Sequence, residues 1–347
     1  MNGLRVRERL VWAGAIVAAV ALLGSGWAVA ATATDDGTTC TGTNYDPATG
    51  LVRLDCLIGG LSVPSASPTA SPSASPTTSP SASPSPSPTT RTGCLAVPSA
   101  CGYPDATNTG AKGTLTVVNG NVRLSTAGMV YADKWVKGCI EVTAPNVVIR
   151  NVKVTGDCSY GIDYYPYNDF GTARLTVEDS TIVCANPRAT GIGELNYVAR
   201  RVDVSGCENG FDVDRDVLVI DSYIHGLSDE LATPGDPHTD GIQGVQTRNV
   251  VYDHNTIIAP RFATSAIIAD NLNTNGWTVK NSLMDGGGYT VYCPKSGSVL
   301  NNRFGDNQWT NDRTPRENTS YATSCGAGIT WAGNVRDATG LGVAAAG

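Results

Sequence analysis

The chain is predicted to fold as an all-β right-handed parallel β-helix, a solenoid of short strands, on three observations. First, seven stretches repeat one pattern: Val-Ile-Arg-Asn151-Val-Lys-Val, Val-Glu-Asp179-Ser-Thr-Ile, Ala-Arg-Arg201-Val-Asp-Val, Val-Ile-Asp221-Ser-Tyr-Ile, Asp-His-Asn255-Thr-Ile-Ile, Val-Lys-Asn281-Ser-Leu-Met and Val-Leu-Asn301-Asn-Arg-Phe. The marked residues lie 28, 22, 20, 34, 26 and 20 positions apart, the period of a solenoid coil. Second, β-branched residues alternate with polar ones inside each stretch, and Gly, Asn and Asp punctuate the ends. Third, no segment between the stretches has the length and period of a substantial helix.

Residues 1–30 read as a secretory signal peptide. Arg5, Arg7 and Arg9 precede the apolar run Leu10 to Leu23, and Ala28-Val-Ala30 supplies a small-residue cleavage site. The run is short for a membrane span, so no stable membrane insertion is expected after cleavage. Residues 31–63 form a small segment expected to be closed by Cys40 and Cys56, because so few apolar residues need a staple. Residues 64–92 are almost entirely Pro, Ser, Thr and Ala, an extended spacer. The β-helix domain is expected over 93–347, with Gly113 to Val118 and Cys139 to Val142 in its first rungs. The Asn-, Thr- and Trp-rich region after Arg303 is its candidate cap.

The whole chain carries a formal charge of −7, and loss of residues 1–30 leaves 21 basic and 30 acidic residues, about −9. No basic stripe follows a phosphate backbone, which argues against nucleic acid as a partner. The ten cysteines of an exported chain read as disulfides. Cys94 and Cys101 lie seven apart; Cys158, Cys184 and Cys207 each end a rung strand and are placed to bridge to neighbours; Cys293 and Cys325 are placed to tie the tail to the coil.

A second short strand follows a Gly in each rung: Gly161-Ile-Asp163, Gly191-Ile-Gly-Glu194, Gly210-Phe-Asp212-Val-Asp214, Asp240-Gly-Ile-Gln243 and Ser265-Ala-Ile-Ile268. With the apolar residue inward, Asp163, Asp212 and Gln243 share one outer face. Gly235-Asp236-Pro-His238-Thr-Asp240-Gly-Ile-Gln243 is the densest cluster of functional side chains and ends the longest interval, so a loop overhangs this face. The catalytic candidates are Asp240, Asp212 and Asp214. Carboxylates on adjacent rungs stand roughly 5 to 10 Å apart, the range glycosidases use. His238, Gln243, Arg261 and Lys295 are the candidate substrate-binding residues. Asp212, Asp214 and Asp236 would instead hold calcium if the acidic face binds a metal. His225 and His254 lie in the first-strand pattern, away from this face.

These repeats, together with Cys101-Gly-Tyr-Pro-Asp-Ala-Thr-Asn-Thr-Gly110, resemble secreted actinobacterial proteins of the pectin-lyase-like superfamily over residues 94–335. The resemblance implies a parallel β-helix that acts on polysaccharide by hydrolysis, elimination or epimerisation. His238-Thr-Asp240-Gly-Ile is similar to the Asn-Thr-Asp-Gly-Ile motif of polygalacturonases, which implies Asp240 as general acid. The chain departs from that family where a paired Asp is expected, having Ser265-Ala-Ile-Ile, and lacks its Gly-His-Gly and Arg-Ile-Lys motifs.

Three functions follow as expectations. The first is an extracellular, monomeric glycoside hydrolase that needs no cofactor and uses two carboxylates from Asp212, Asp214 and Asp240. The second is a Ca2+-assisted polysaccharide lyase with Lys295 or Arg261 as base. The third is a non-catalytic β-helix that binds glycan or the cell wall.

Overall fold

The computed structural model describes residues 93–164, 173–228, 238–260, 262–269, 275–309, 314–315 and 321–345, apart from the side chains at 245, 246 and 275, together with the backbone of Tyr45–Asp46 and Leu51–Val52. The chain divides into two compact units, Met1–Ala66 and Ser67–Gly347. In the first, Tyr45–Asp46 and Leu51–Val52 pair antiparallel. The expected signal peptide, the expected Cys40–Cys56 staple and 64–92 spacer, Asp236 and Arg261 lie outside the described residues.

The second unit is a right-handed parallel β-helix. Its rungs contain three strands, not two, because each marked stretch bends in its middle. Asn151, Asp179, Arg201, Asp221, His254, Asn281 and Asn301 all adopt left-handed backbone angles, with φ between 49 and 56°. One such residue turns the strand sharply, and Asn and Asp tolerate the conformation best. Strands before the bend stack as a first sheet, from 130–132 through Leu175–Glu178 and Tyr197–Arg200 to Ile329–Ala332. Strands after it stack as a second sheet, from Thr116–Asn119 through Thr181–Cys184 and Asp203–Ser205 to Val335–Arg336. The third sheet runs from Val122–Leu124 through Tyr160–Tyr164, Thr190–Glu194, 209–213 and 240–244 to Ala322–Thr323.

The fifth marker corrects the sequence by one residue. Thr256 pairs with Tyr223, so His254 aligns with Asp221, and Asn255 takes the buried place next to it. The longest interval is therefore the 33 residues from Asp221 to His254.

Inward side chains fill the coil in stacked files. Ile162, Ile192, Phe211, Ile242 and Ile267, each following a Gly or Ala, are fully buried, as alternation requires. The residues before them must be small, because a side-chain carbon at Gly191, Gly210 or Gly241 would strike the carbonyl of the next rung. Just past each bend lies a buried polar file. The Val202 amide donates to Ser222 Oγ, Ser222 to Asn255 Oδ1, Asn255 to Ser282 Oγ, Ser282 to Asn302 Oδ1 and Asn302 to Asn334 Oδ1, all at 2.9–3.1 Å. These side chains satisfy amides that the bend turns away from the carbonyl ladder.

Among the described residues there are four disulfides, Cys94–Cys101 within the segment ahead of the coil and Cys139–Cys158, Cys184–Cys207 and Cys293–Cys325 along it. The middle two join neighbouring rungs, with Cys139 as the partner of Cys158, and no described cysteine is free. Such pairing belongs to an oxidising compartment. No helix among the described residues is long and apolar enough to cross a membrane. The last rung is capped by the tail itself: Val343 is buried, its amide donates to the Asn334 carbonyl, and its own carbonyl accepts Trp331 Nε1.

Residues 93–112 form a strap along the second sheet that runs against the coil. The Leu95 amide donates to Asp337 beside the last rung, Tyr103 stacks on His254, the Gly110 amide donates to the Arg201 carbonyl, and the Lys112 amide donates to Asn151 Oδ1. The strap thus spans seven rung spacings, about 34 Å. Its own shape depends on Asp105, which accepts the Ser99 and Thr107 amides and the Thr107 hydroxyl. Burial pushes that carboxyl up, but hydrogen bonds from Ser99 and Thr107 outweigh it and leave it at about 2.

The His254 contact makes the strap sensitive to pH. Its hydrogen bond to Asp221 at 2.8 Å raises the imidazole pKa against the opposing effect of burial, with the charges of Asp221 and Asp253 and the Gly102 backbone adding to the rise. A raised imidazole pKa contributes stability that is complete below the ordinary value of 6.5 and is lost as pH rises through the folded value. Melting curves of wild type and His254→Gln should therefore differ most at pH 5.5 and converge by pH 8.5. Equal differences at both pH values would rule out the ionised pair.

Candidate active site

The third sheet presents one outward file of side chains: Arg123, Glu141, Asp163, Gly193, Asp212, Gln243, Ile268, Tyr292 and Thr323. The expected common face of Asp163, Asp212 and Gln243 is present in this register. Its acidic half opens into a cleft of about 300 Å³ lined by Arg123, Glu141, Ser159, Tyr160 and Asp163 among others.

Gly193 is the gap in the file, and Tyr160 fills it. A side-chain carbon at 193 would collide with the Tyr160 ring. The Tyr160 hydroxyl lies 2.8 Å from Glu194 Oε1 and 3.2 Å from Asp212 Oδ2. Those two contacts limit the separation of the carboxylate oxygens to about 6 Å. A phenol has one proton, so it can satisfy only one of the two at a time. Asp212 also accepts the Thr190 hydroxyl at 3.2 Å, and its backbone carbonyl accepts the Tyr197 hydroxyl at 3.0 Å. Burial, then the two carboxylates, pushes the Tyr160 phenol up.

Asp163 sits one rung before Gly193. Burial raises its pKa, and the negative charges of Glu194 and Glu141 raise it further. Arg123 pairs with Glu141 at 3.4 Å, but both side chains are largely exposed and the pair is weak. Glu194 is the hub, since its charge also acts on Asp214, whose carboxyl is raised first by burial. Asp163 and Tyr160 line the cleft, with the carboxylates of Glu194 and Asp212 hydrogen-bonded behind Tyr160, and an acid of raised pKa in such a place can exchange a proton.

Asp240 does not join this surface. It is 1% exposed, its amide donates to Asn209 Oδ1, and the Ser265 hydroxyl donates to its carboxyl. Alternation explains the difference: Asp240 stands two residues before inward Ile242 and shares its phase, whereas Gln243 does not. Burial holds the carboxyl well above its ordinary range despite the Ser265 hydrogen bond. Its connection to the groove is indirect, through Asn209, which donates to Gln243 Oε1 at 3.0 Å.

The other candidates are dispersed. Asp214 lies where the register between 209–220 and 240–253 shifts, beside Arg215 and Arg248. His238 is exposed at the rim, near enough to Glu208 to lower its pKa against burial. Lys295 is exposed three residues past Tyr292, which stands two rungs beyond Gln243. Among the described residues no three His, Cys, Asp or Glu side chains converge as a metal site, and Asp236 lies outside them. His225 and His254 bond to Asp203 and Asp221 on the second-sheet side.

Sequence reasoning left Tyr160, Glu141 and Glu194 out of the site. Glu194 carries a signal, because it stands two residues past inward Ile192 and shares its phase. A carboxylate at an inward phase is an exception to the apolar pattern, at Glu194 as at Asp240.

Coil and cleft together define a parallel β-helix protein with an acidic groove on its third sheet. No protein-family model, curated protein or solved structure matches the chain.

Proposed function

We propose that this is a secreted polysaccharide-degrading enzyme of the pectin-lyase-like superfamily, an inverting glycoside hydrolase working in the third-sheet groove. Asp163 is the general acid and Asp212 the general base, while Tyr160 and Glu194 set their charge states. The observation that carries this function is the spacing of the two carboxylates in one file, two rungs apart, with the Tyr160 ring packed over Gly193 between them. Two rung spacings are about 9.6 Å, at the wide end of the separation that leaves room for a water under the sugar.

The division of labour follows from environment. Asp163, with burial and two neighbouring negative charges, keeps its proton to higher pH and can give it to the leaving oxygen. Asp212, as the base, is placed to accept a hydrogen bond from Thr190 and, in competition with Glu194, one from Tyr160. Asp240, as a buried carboxyl bonded to Ser265, supports Gln243 through Asn209 and does not touch substrate.

The test is a panel of polysaccharides followed by product analysis. New reducing ends of inverted anomeric configuration are expected, without an unsaturated sugar that absorbs in the ultraviolet. Ultraviolet-absorbing products would mean elimination, and binding without cleavage would leave a glycan-binding module.

A further inference from the structure

The second sheet carries a different kind of surface where the strap stops. The strap's last contacts with it are the Ala111 amide on Thr181 Oγ1 and the Lys112 amide on Asn151 Oδ1, so the strap does not cover the outer face of the first rungs. There Val117, Trp135 and Lys153 form one outward file, and Lys137 and Thr155 form the next file along. Trp135 Nε1 donates to Thr155 Oγ1 at 2.8 Å, which lays the indole along one diagonal of this four-residue patch. Lys137 and Lys153 occupy the other diagonal. Their ammonium groups lie 4.7 and 5.2 Å from the indole ring centre, and so no more than about 10 Å from each other.

Two like charges do not gather over one ring without a reason. Each gains a cation–π contact with the indole. Among the described residues neither lysine is paired with a carboxylate. In a chain of charge −7, these are two unneutralised cations on a rigid sheet, beside Val117, which is 46% exposed. An ordinary solvated lysine pair would spread apart; this one is held by the Thr155-anchored indole.

We propose that Trp135, Lys137 and Lys153 form a second glycan-binding surface, separate from the third-sheet groove, that takes an anionic polysaccharide. The two ammonium groups meet acidic groups on the polymer, and Val117 with the indole edge supplies the apolar contact that a sugar ring can cover. The groove bears the opposite charge, with Glu141, Glu194 and Asp212, so a polyuronate drawn to this surface would be repelled from the cleft. The surface would hold the protein on an acidic matrix while the groove works on a different chain.

Affinity electrophoresis in native gels tests this with polygalacturonate as the charged probe and dextran as the neutral one. Wild type should be retarded by polygalacturonate, less so as salt is raised, and not by dextran. Lys137→Gln with Lys153→Gln should weaken retardation at least fivefold, with an unchanged circular dichroism spectrum. Trp135→Leu should weaken it similarly; if that variant misfolds, the lysine pair alone decides. Retardation unchanged in the lysine variant, equal retardation by dextran, or none of wild type would each overturn the proposal.

Discussion

Replacing Asp163 with Asn should lower the hydrolytic rate about 100-fold or more while leaving the melting temperature unchanged or slightly raised. The amide keeps the shape of the carboxyl and loses its proton. It also removes a half-buried acid from the field of Glu194 and Glu141, so no stabilising contact is lost. The pH profile gives an independent check. A general acid must be protonated, so activity falls as pH rises through the Asp163 pKa. Burial and its two neighbours raise that pKa, which carries the basic limb above the ordinary carboxylate value of 3.8. Glu141→Gln removes one of the neighbouring charges and should move that limb to lower pH, with the maximal rate little changed. Full activity in Asp163→Asn would remove it from the mechanism.

The coil was legible because a solenoid writes its core into a repeating pattern. β-Branched residues recur at the phase that faces inward, and residues 148–154 or 219–224 need no tertiary context to be recognised as strand. The bend inside each stretch was less legible. Its marker is one polar residue with left-handed angles, and in Asp253-His254-Asn255 three polar residues compete for that place. Asn is the better former of such a turn, yet the buried polar file needs Asn255, and His254 takes the strained position.

The candidate site was legible only as a face. Alternation put Asp163, Asp212 and Gln243 side by side, because the third sheet keeps a regular register through them. It also contains the information that Asp240 is inward, since Ile242 fixes the phase, but a motif resemblance pointed the other way. Tyr160 could not be assigned to the cluster from sequence at all. Its ring reaches over Gly193 from the beginning of the neighbouring strand, and only the missing side chain at 193 hints that something else occupies the space. The strap was invisible for a related reason: its contacts are backbone amides meeting side chains of residues up to 242 positions away, with no periodicity to betray them.

Asn255→Ala should be among the most destabilising single changes in the domain, costing about 3 kcal/mol. The side chain is fully buried and makes two hydrogen bonds to the preceding rung. Its Oδ1 accepts the Ser222 amide at 2.9 Å and its Nδ2 donates to the Val219 carbonyl at 2.9 Å. Alanine would leave a buried amide without its acceptor and open a space too far inside the coil for water to fill freely. For a domain of this size the loss corresponds to roughly 6–12 °C in melting temperature. Asn255→Ser should recover part of it, because Ser222 and Ser282 show that a hydroxyl at this position can accept an amide from the preceding rung. Asn281→Ala, one rung on at the half-buried bend, should cost less: its Nδ2 makes one part-buried bond, to Asp253, with which Lys280 also pairs, and the remaining cost is a left-handed alanine. Hydrogen exchange should separate the two. In Asn255→Ala the Ser222 amide should lose protection by at least a hundredfold, whereas in Asn281→Ala it should stay protected. If the two variants melt together, the buried file is not what holds the bends in register.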